Sequence, residues 1–272
     1  MNRPTKLPYK PIYGILAALL YAVVAGIVAN QITRLDVNRS VLEDFALGHF
    51  ITVPILIIIG FLFIKYASWE TEVWSTKSPG KTGYRKKWLW IFPILSLTQS
   101  IIAFSVAPWD ELNLIFILTI LFGTLLVAIG EEMYFRGIVR ASLNNFKNEI
   151  SVVLLTGLLF GIGHIFGGLY DGTPILALLL NVSFLAFHGI GLYATLKATG
   201  TLWAPISLHF LTDFALYIGS GPGGSEQGSS TIELPLIAGY VGILSGIASI
   251  IFIFAVLRHD RKVRRTKTLS PN

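Results

Sequence analysis

Two adjacent glutamates, Glu131 and Glu132, interrupt a long apolar stretch of the sequence, LLVAIGEEMYFRGIV. Successive helical residues point about 100° apart, so the two carboxylates face different directions. Glu132 lies four residues before Arg136 and can pair with it along one stripe of a helix. Glu131 is then left without a local counter-ion, which makes it a candidate general base. The alternative is the solvated end of a membrane helix, where a Glu–Arg pair costs little.

Two further apolar stretches carry imidazoles. His164 lies in LLFGIGHIFGG, and His209 and Asp213 lie four residues apart in APISLHFLTDFALY, on one helix face. A carboxylate at this spacing can orient the imidazole, and the pair can also bind a metal. Two simpler interpretations stay open: a lone histidine that only packs, and an interhelical hydrogen bond from His209 or Asp213.

The composition indicates a membrane protein. The chain has 272 residues, of which 53% are hydrophobic and 13% charged, with a mean hydropathy of +0.68. A soluble domain carries roughly 25% charged residues. The sequence contains no cysteine, which excludes disulfides, thiolate metal sites and a cysteine nucleophile. The pI is about 9.5, but the basic residues lie between apolar runs, so we expect no nucleic-acid partner.

Eight apolar runs are long enough, or nearly so, to cross a bilayer, which takes about 20 residues. We therefore predict an all-α fold, a polytopic membrane bundle of eight transmembrane helices forming a single domain over residues 1–272. The runs lie near Ile12–Ile32, Ala46–Phe63, Trp88–Val106, Leu112–Ile129, Ser151–Phe166, Pro174–Leu196, Leu202–Ile218 and Leu234–Leu257.

The basic residues predict the orientation of this bundle. With both termini cytoplasmic, 18 Lys and Arg residues fall in inner segments and only Arg34 and Arg39 in outer ones. Cytoplasmic enrichment of Lys and Arg is the usual bias. The glycine- and serine-rich stretch Gly219–Ser230 is then a flexible outer loop. Residues 258–272 form a basic cytoplasmic tail, either disordered or lying on anionic lipid headgroups.

The polar groups lie at similar depths in this arrangement. Counted from the cytoplasmic ends of their predicted helices, Glu131, His164 and His209 lie about 21, 20 and 15 Å into the membrane. Three helices therefore carry ionisable groups to one level. This pattern predicts a single water-accessible cavity that opens to the cytoplasm.

The polar motifs resemble those of a known family. The string EEMYFRG fits EExxxR, FGIGH fits FxxxH, and HFLTD fits HxxxN/D. In this order they resemble the CAAX prenyl protease-type intramembrane proteases, also called the CPBP or Abi family. The resemblance covers roughly residues 130–217 and defines a protease-like core at about 112–218.

The resemblance implies an endopeptidase that cuts peptide bonds at or within the membrane. Glu131 would activate the water, and His164 would assist it. His209, with Asp213, would stabilise the oxyanion, while Glu132 and Arg136 would support the first motif. Asp213 stands where the best-known prenyl proteases carry asparagine, so it could instead be protonated, orient His209 or help to hold a metal.

We expect no cofactor, because the family is better explained by a glutamate mechanism than by a metal. The alternative is zinc held by Glu131, His164, His209 and Asp213, since two imidazoles and two carboxylates are suitable ligands. The familiar HExxH zinc motif is absent from the sequence.

Our prediction is a glutamic-type intramembrane endopeptidase. Its expected location is a bacterial plasma membrane, with lipids and a membrane-tethered peptide or protein substrate as partners. One alternative is a non-catalytic membrane scaffold or bacteriocin-immunity protein on the same fold. The other is a small-molecule transporter, which the lack of an internal repeat disfavours. The sequence contains no indication of oligomeric state.

Overall fold

The computed structural model of the protein describes residues 5–28, 31, 40–76, 86–146, 148–226 and 236–269. In these residues the backbone is helical apart from turns, short connections and one isolated bridge between Ser75 and Thr201. We number their α-helices α1 to α13 in chain order: Pro11–Val23, Val41–Leu47, Val53–Ala67, Glu70–Trp74, Lys86–Leu89, Ile91–Ser105, Leu114–Glu132, Arg140–Ser142, Glu149–Gly163, Ile165–Tyr170, Ile175–Thr199, Trp203–Glu226 and Leu236–Leu269.

Three π-helical segments extend or join these helices. Val24–Val28 continues α1, Gly48–Thr52 joins α2 to α3, and Met133–Val139 joins α7 to α8. Such segments are rare and are often found at functional sites. The third one begins directly after Glu131 and Glu132, so it forms part of the local structure around the two glutamates.

Six helical segments of the described chain are long and apolar enough to cross a membrane. They are Pro11–Val28, Leu42–Ala67, Leu114–Ser142, Glu149–Tyr170, Ile175–Thr199 and Val241–Val263. The two other predicted runs are helical, as α6 and α12, but α6 has only 15 residues and α12 is not among these six. The all-α class is confirmed, whereas the count of eight spans and the orientation stay predictions.

Large apolar side chains cover the outer surface of the bundle. Ile101 is 67% exposed, Ile115 71% and Leu176 68%. Soluble monomers rarely expose extended apolar surface, whereas lipid-facing helices do so necessarily. The exposed side chains therefore belong to a protein that is embedded in lipid.

Local signals define several helix ends. Ser40 and Glu43 form a capping box at the start of α2, and the Asn113 side chain accepts a hydrogen bond from Phe116 N at the start of α7. Gly200 ends α11 with φ 81° and donates its N–H to Leu196 O at 2.8 Å. Glycine suits this left-handed conformation because it has no Cβ.

The tail differs from the sequence prediction. Helix α13 does not end near Leu257 but continues to Leu269, so the expected disorder of the tail is wrong over these residues. No glycine or proline occurs between Ala248 and Leu269, and Lys and Arg are good helix formers. The outer loop expected at Gly219–Ser230 is likewise helical as far as Glu226, with a break at Gly221, and its remainder lies outside the described residues.

The main core surrounds the π-helical segment Met133–Val139, whose seven residues are all buried. The Tyr134 hydroxyl donates to Leu56 O at 2.9 Å, which ties this segment to α3. On another side, Gly157 and Gly161 let α9 approach α11 closely, since added Cβ atoms would meet Ile190 and the Val182 carbonyl. The helices that carry the polar groups are therefore firmly packed.

Candidate active site

Three regions of the fold bring the polar motif residues together. Glu131 and Glu132 are the last two residues of α7, and His164 lies at the junction of α9 and α10. His209 and Asp213 lie one turn apart on α12. Residues that are distant in the sequence thus line one region inside the bundle.

Glu131 lies between the two imidazoles. Its Oε1 is 3.8 Å from His164 Nε2, and its Oε2 is 3.7 Å from His209 Nε2. Neither distance is a direct hydrogen bond, but a water lying to one side of either pair is within hydrogen-bond distance of both atoms. The Glu131 side chain is 14% exposed and that of His164 is 32% exposed, so this part of the site is accessible to solvent-sized molecules.

The His209 ring is held at both nitrogens. Its Nδ1 faces Glu132 Oε1 at 3.0 Å, and its Nε2 faces Asp213 Oδ2 at 3.2 Å. An ionised carboxylate can only accept hydrogen bonds, so a ring that satisfies both contacts carries a proton on each nitrogen. The side chain of His209 is only 5% exposed, and this fixed position suits an electrostatic role.

The orientation of His164 is set by its own helix. Its Nδ1 donates to Phe160 O at 2.9 Å, because a carbonyl oxygen can only accept. In the neutral ring, Nε2 then has a free lone pair, and this is the nitrogen that faces Glu131. His164 can therefore accept a hydrogen bond from a water beside Glu131.

Glu132 and Arg136 form the ion pair that their spacing indicates. Arg136 Nη1 lies 2.7 Å from Glu132 Oε1, and both side chains are fully buried. The same oxygen accepts from His209, while Glu132 Oε2 and Arg136 Nε and Nη2 have no hydrogen-bond partner among the described residues. The guanidinium lies 4.0 Å from the centre of the Phe160 ring, a cation–π contact.

Two contributors were not identified by the sequence reasoning. Phe160, the first residue of FGIGH, both accepts from His164 and stacks on Arg136. Gly189 on α11 leaves room for the guanidinium, since an added Cβ would lie 2.7 Å from Arg136 Nη2. The FxxxH motif contains Phe160 and so gave a signal for it, whereas nothing in the sequence indicated a role for Gly189. His188, beside Gly189, has its ring centre 6.1 Å from that of His209.

Among the described residues, no group of three or more His, Cys, Asp and Glu side chains is arranged to hold a metal ion. The ligand types of Glu131, His164, His209 and Asp213 remain suitable for zinc. Glu131, His164 and His209 also provide a base and hydrogen-bonding groups of their own, without a metal.

The fold and the site define a helical integral membrane protein with a buried cluster of carboxylates and imidazoles. Residues 113–215 match the family model described as type II CAAX prenyl endopeptidase Rce1-like, and all six motif residues lie inside this segment. This segment, which is less than half of the chain, is similar to the CAAX prenyl protease-type family, as the motifs indicated. No curated protein and no solved structure gives a significant match.

Proposed function

We propose that the protein is an intramembrane endopeptidase that hydrolyses peptide bonds of membrane-tethered substrates. The similarity of residues 113–215 to a protease family model supports this reaction class. The single observation that carries the proposal is the position of Glu131, whose two oxygens lie 3.8 and 3.7 Å from the His164 and His209 rings. A carboxylate between two imidazoles has the groups that peptide hydrolysis needs.

Water activation is the first step of the proposed mechanism. A water about 2.8 Å from Glu131 Oε1 can also donate to His164 Nε2. Glu131 accepts one proton from this water, and the oxygen attacks the scissile carbonyl carbon. His164 holds the water in line through the lone pair that its bond to Phe160 leaves free. A new C–O bond forms, and the carbonyl oxygen becomes an oxyanion.

The oxyanion is stabilised by the second imidazole. His209 is buried between Glu132 and Asp213, so the ring is already in place when the oxyanion forms. In this proposal the Nε2–H of His209 is shared between Asp213 Oδ2 and the substrate oxygen, and Asp213 keeps the ring charged and oriented. Collapse of the intermediate breaks the C–N bond, and Glu131 returns its proton to the leaving nitrogen.

The substrate class follows from the membrane location. A water-accessible cavity open to the cytoplasm would admit a tail or helix that a lipid or a membrane span tethers. In a host that prenylates proteins, a farnesylated or geranylgeranylated C-terminal tail fits this description. In a bacterium, the candidates are precursors of peptide pheromones, membrane proteins that need maturation, and bacteriocins in self-immunity.

Mass spectrometry of membrane peptides tests the proposal. Cells that make the wild-type protein should contain cleaved peptides that are missing from cells making Glu131→Ala, Glu131→Gln or His164→Ala variants at equal levels. Glu70→Gln is a matched control, because Glu70 is an exposed glutamate on α4 away from the site. A phenotype that persists in all three site variants, with unchanged peptides, would instead identify a non-catalytic scaffold.

A further inference from the structure

A groove of about 780 Å³ lies between the end of α5 and residues 251–262 of α13. The α5 side contributes Trp88 and Leu89. The α13 side contributes a stripe in which apolar residues are followed by basic ones. None of these residues belongs to the candidate active site.

The stripe on α13 is apolar in its first half and basic in its second half. Ile251, Phe254 and Ala255 are followed by Arg258, Arg261 and Lys262, at intervals of three and four residues that share one helix face. Ile251 is 38% exposed and Phe254 62% exposed, and the three basic residues are also exposed. The change from apolar to basic occurs in a single turn.

The one acidic residue in this part of α13 faces away from the groove. Asp260 is 9% exposed, and its Oδ2 accepts from Ile150 N at the start of α9 at 3.0 Å. The described residues that line the groove include three Lys and Arg cations and no acid. The groove is therefore strongly positive at one end and apolar at the other.

We propose that this groove binds one anionic phospholipid. Its phosphate would contact Arg258, Arg261 and Lys262, and its acyl chains would lie against Ile251, Phe254 and Ala255. Arg pairs well with phosphate oxygens, and Trp88 is of the type that lies at the level of the headgroups. Basic pockets beside membrane helices suit anionic headgroups, and each Lys or Arg near such a surface strengthens the attraction.

The continuation of α13 as a helix to Leu269 supports this assignment. Because the helix does not end near Leu257, the basic side chains stay in register with the apolar ones below them. A disordered tail would place the same charges near the membrane without building a site. The proposal concerns lipid binding and does not depend on peptide hydrolysis.

Native mass spectrometry of the full chain in detergent micelles tests it. Phosphatidylglycerol and phosphatidylcholine with identical acyl chains are added at equal concentration. We expect one phosphatidylglycerol to stay bound under conditions that remove phosphatidylcholine. In the triple variant Arg258→Gln/Arg261→Gln/Lys262→Gln, the affinity for phosphatidylglycerol should fall by about tenfold or more.

Two further variants separate a site from general attraction. Lys6→Gln/Lys10→Gln/Lys65→Gln removes the same charge from exposed residues outside the groove and should bind like the wild type. Ala255→Phe fills the groove without changing the charge and should weaken binding at least tenfold. The proposal would be overturned if both lipids were retained equally, or if the two triple variants lost binding equally. It would also be overturned if Ala255→Phe had no effect, or if millimolar inorganic phosphate displaced the lipid.

Discussion

Glu131 and Glu132 are neighbours in the sequence with different surroundings. The Glu132 side chain is fully buried against Arg136, whereas 14% of the Glu131 side chain is exposed beside the two imidazoles. Glu132→Gln leaves the buried guanidinium without its counter-charge, which costs about 3–5 kcal/mol. We expect a clearly lower melting temperature for this variant in detergent micelles, measured by intrinsic fluorescence.

Glu131→Gln is the matched comparison for that prediction. It keeps the shape of the side chain and disturbs no ion pair with Arg136, so its melting temperature should stay close to that of the wild type. Its proteolysis should fall by about 10²–10⁴-fold, because an amide is not a general base. A stable Glu132→Gln protein, or an unstable Glu131→Gln protein, would contradict the division of roles between the two residues.

Asp213 lies 3.2 Å from His209 Nε2, on the helix turn that follows it. Asp213→Asn keeps an acceptor for the ring and adds an amide donor that can reach an oxyanion, so we expect activity within about tenfold of the wild type. Asp213→Ala provides neither an acceptor for the ring nor a donor for the oxyanion, so it should reduce proteolysis about 10²-fold or more. Rates of peptide cleavage by equally folded variants measure the difference.

The outcome for Asp213→Asn separates two roles. Activity close to wild type means that Asp213 orients His209 or can be replaced by a donor. Loss of activity as severe as in Asp213→Ala would contradict that expectation and would mean that the negative charge beside the imidazole is required.

Spacing within one helix was the dependable signal at the scale of residues. The interval of four residues correctly predicted the Glu132–Arg136 pair, and it places His209 beside Asp213. Contacts between helices were harder to predict. The stacking of Arg136 on Phe160 depends on how the π-helical segment Met133–Val139 packs against α9, which no local pattern in the sequence encodes. The catalytic roles themselves stay predictions.

Gly189 shows how a helix crossing supports the site. An added Cβ would lie 2.7 Å from Arg136 Nη2, 3.1 Å from Phe160 Cδ1 and 3.3 Å from Gly157 Cα. Because Arg136 is fully buried and paired, it has little room to move, and we expect Gly189→Ala to cost about 1–3 kcal/mol. Thermal unfolding in micelles measures this loss.

Gly246→Ala is the control variant for the stability loss expected in Gly189→Ala. Gly246 lies inside α13, and no atom lies within 4 Å of its added Cβ, so alanine should be neutral or stabilise the helix by up to about 1 kcal/mol. Equal losses of stability in both variants would mean that helix propensity, and not the space around Arg136, decides the result.

Two features at the scale of elements differ from what the sequence analysis predicted. The π-helical segment Met133–Val139 has ordinary helical composition, so no local pattern predicts its geometry, and all seven of its residues are buried. The helical continuation of α13 agrees with propensity, since glycine and proline are absent from Ala248 to Leu269, whereas the basic charge of these residues favoured a disordered tail. Apolar runs, by contrast, correctly located the long helices, since hydrocarbon thickness fixes their length.

At the scale of the whole molecule, the number of crossings depends on α6 and α12. Six described segments are apolar and long enough to span, and the predicted total of eight requires these two helices to cross as well. Helix α6 has 15 residues, short of the roughly 20 that a span needs, and membrane thinning or a contribution from neighbouring residues would have to make up the difference.

Cysteine labelling decides whether α6 crosses and how the bundle is oriented, since the chain has no cysteine of its own. Exposed positions on either side of α6 and α7 are available as Glu70→Cys, Asp110→Cys and Asn144→Cys. The distribution of Lys and Arg places Asp110 outside and the other two inside. A membrane-impermeant maleimide should therefore label Asp110→Cys in intact cells, and the other two only after permeabilisation, with the cysteine-free wild type as the blank. The reverse pattern would invert the predicted orientation and place the candidate active site nearer the outer face, whereas labelling of Glu70→Cys and Asp110→Cys from the same side would mean that α6 does not cross.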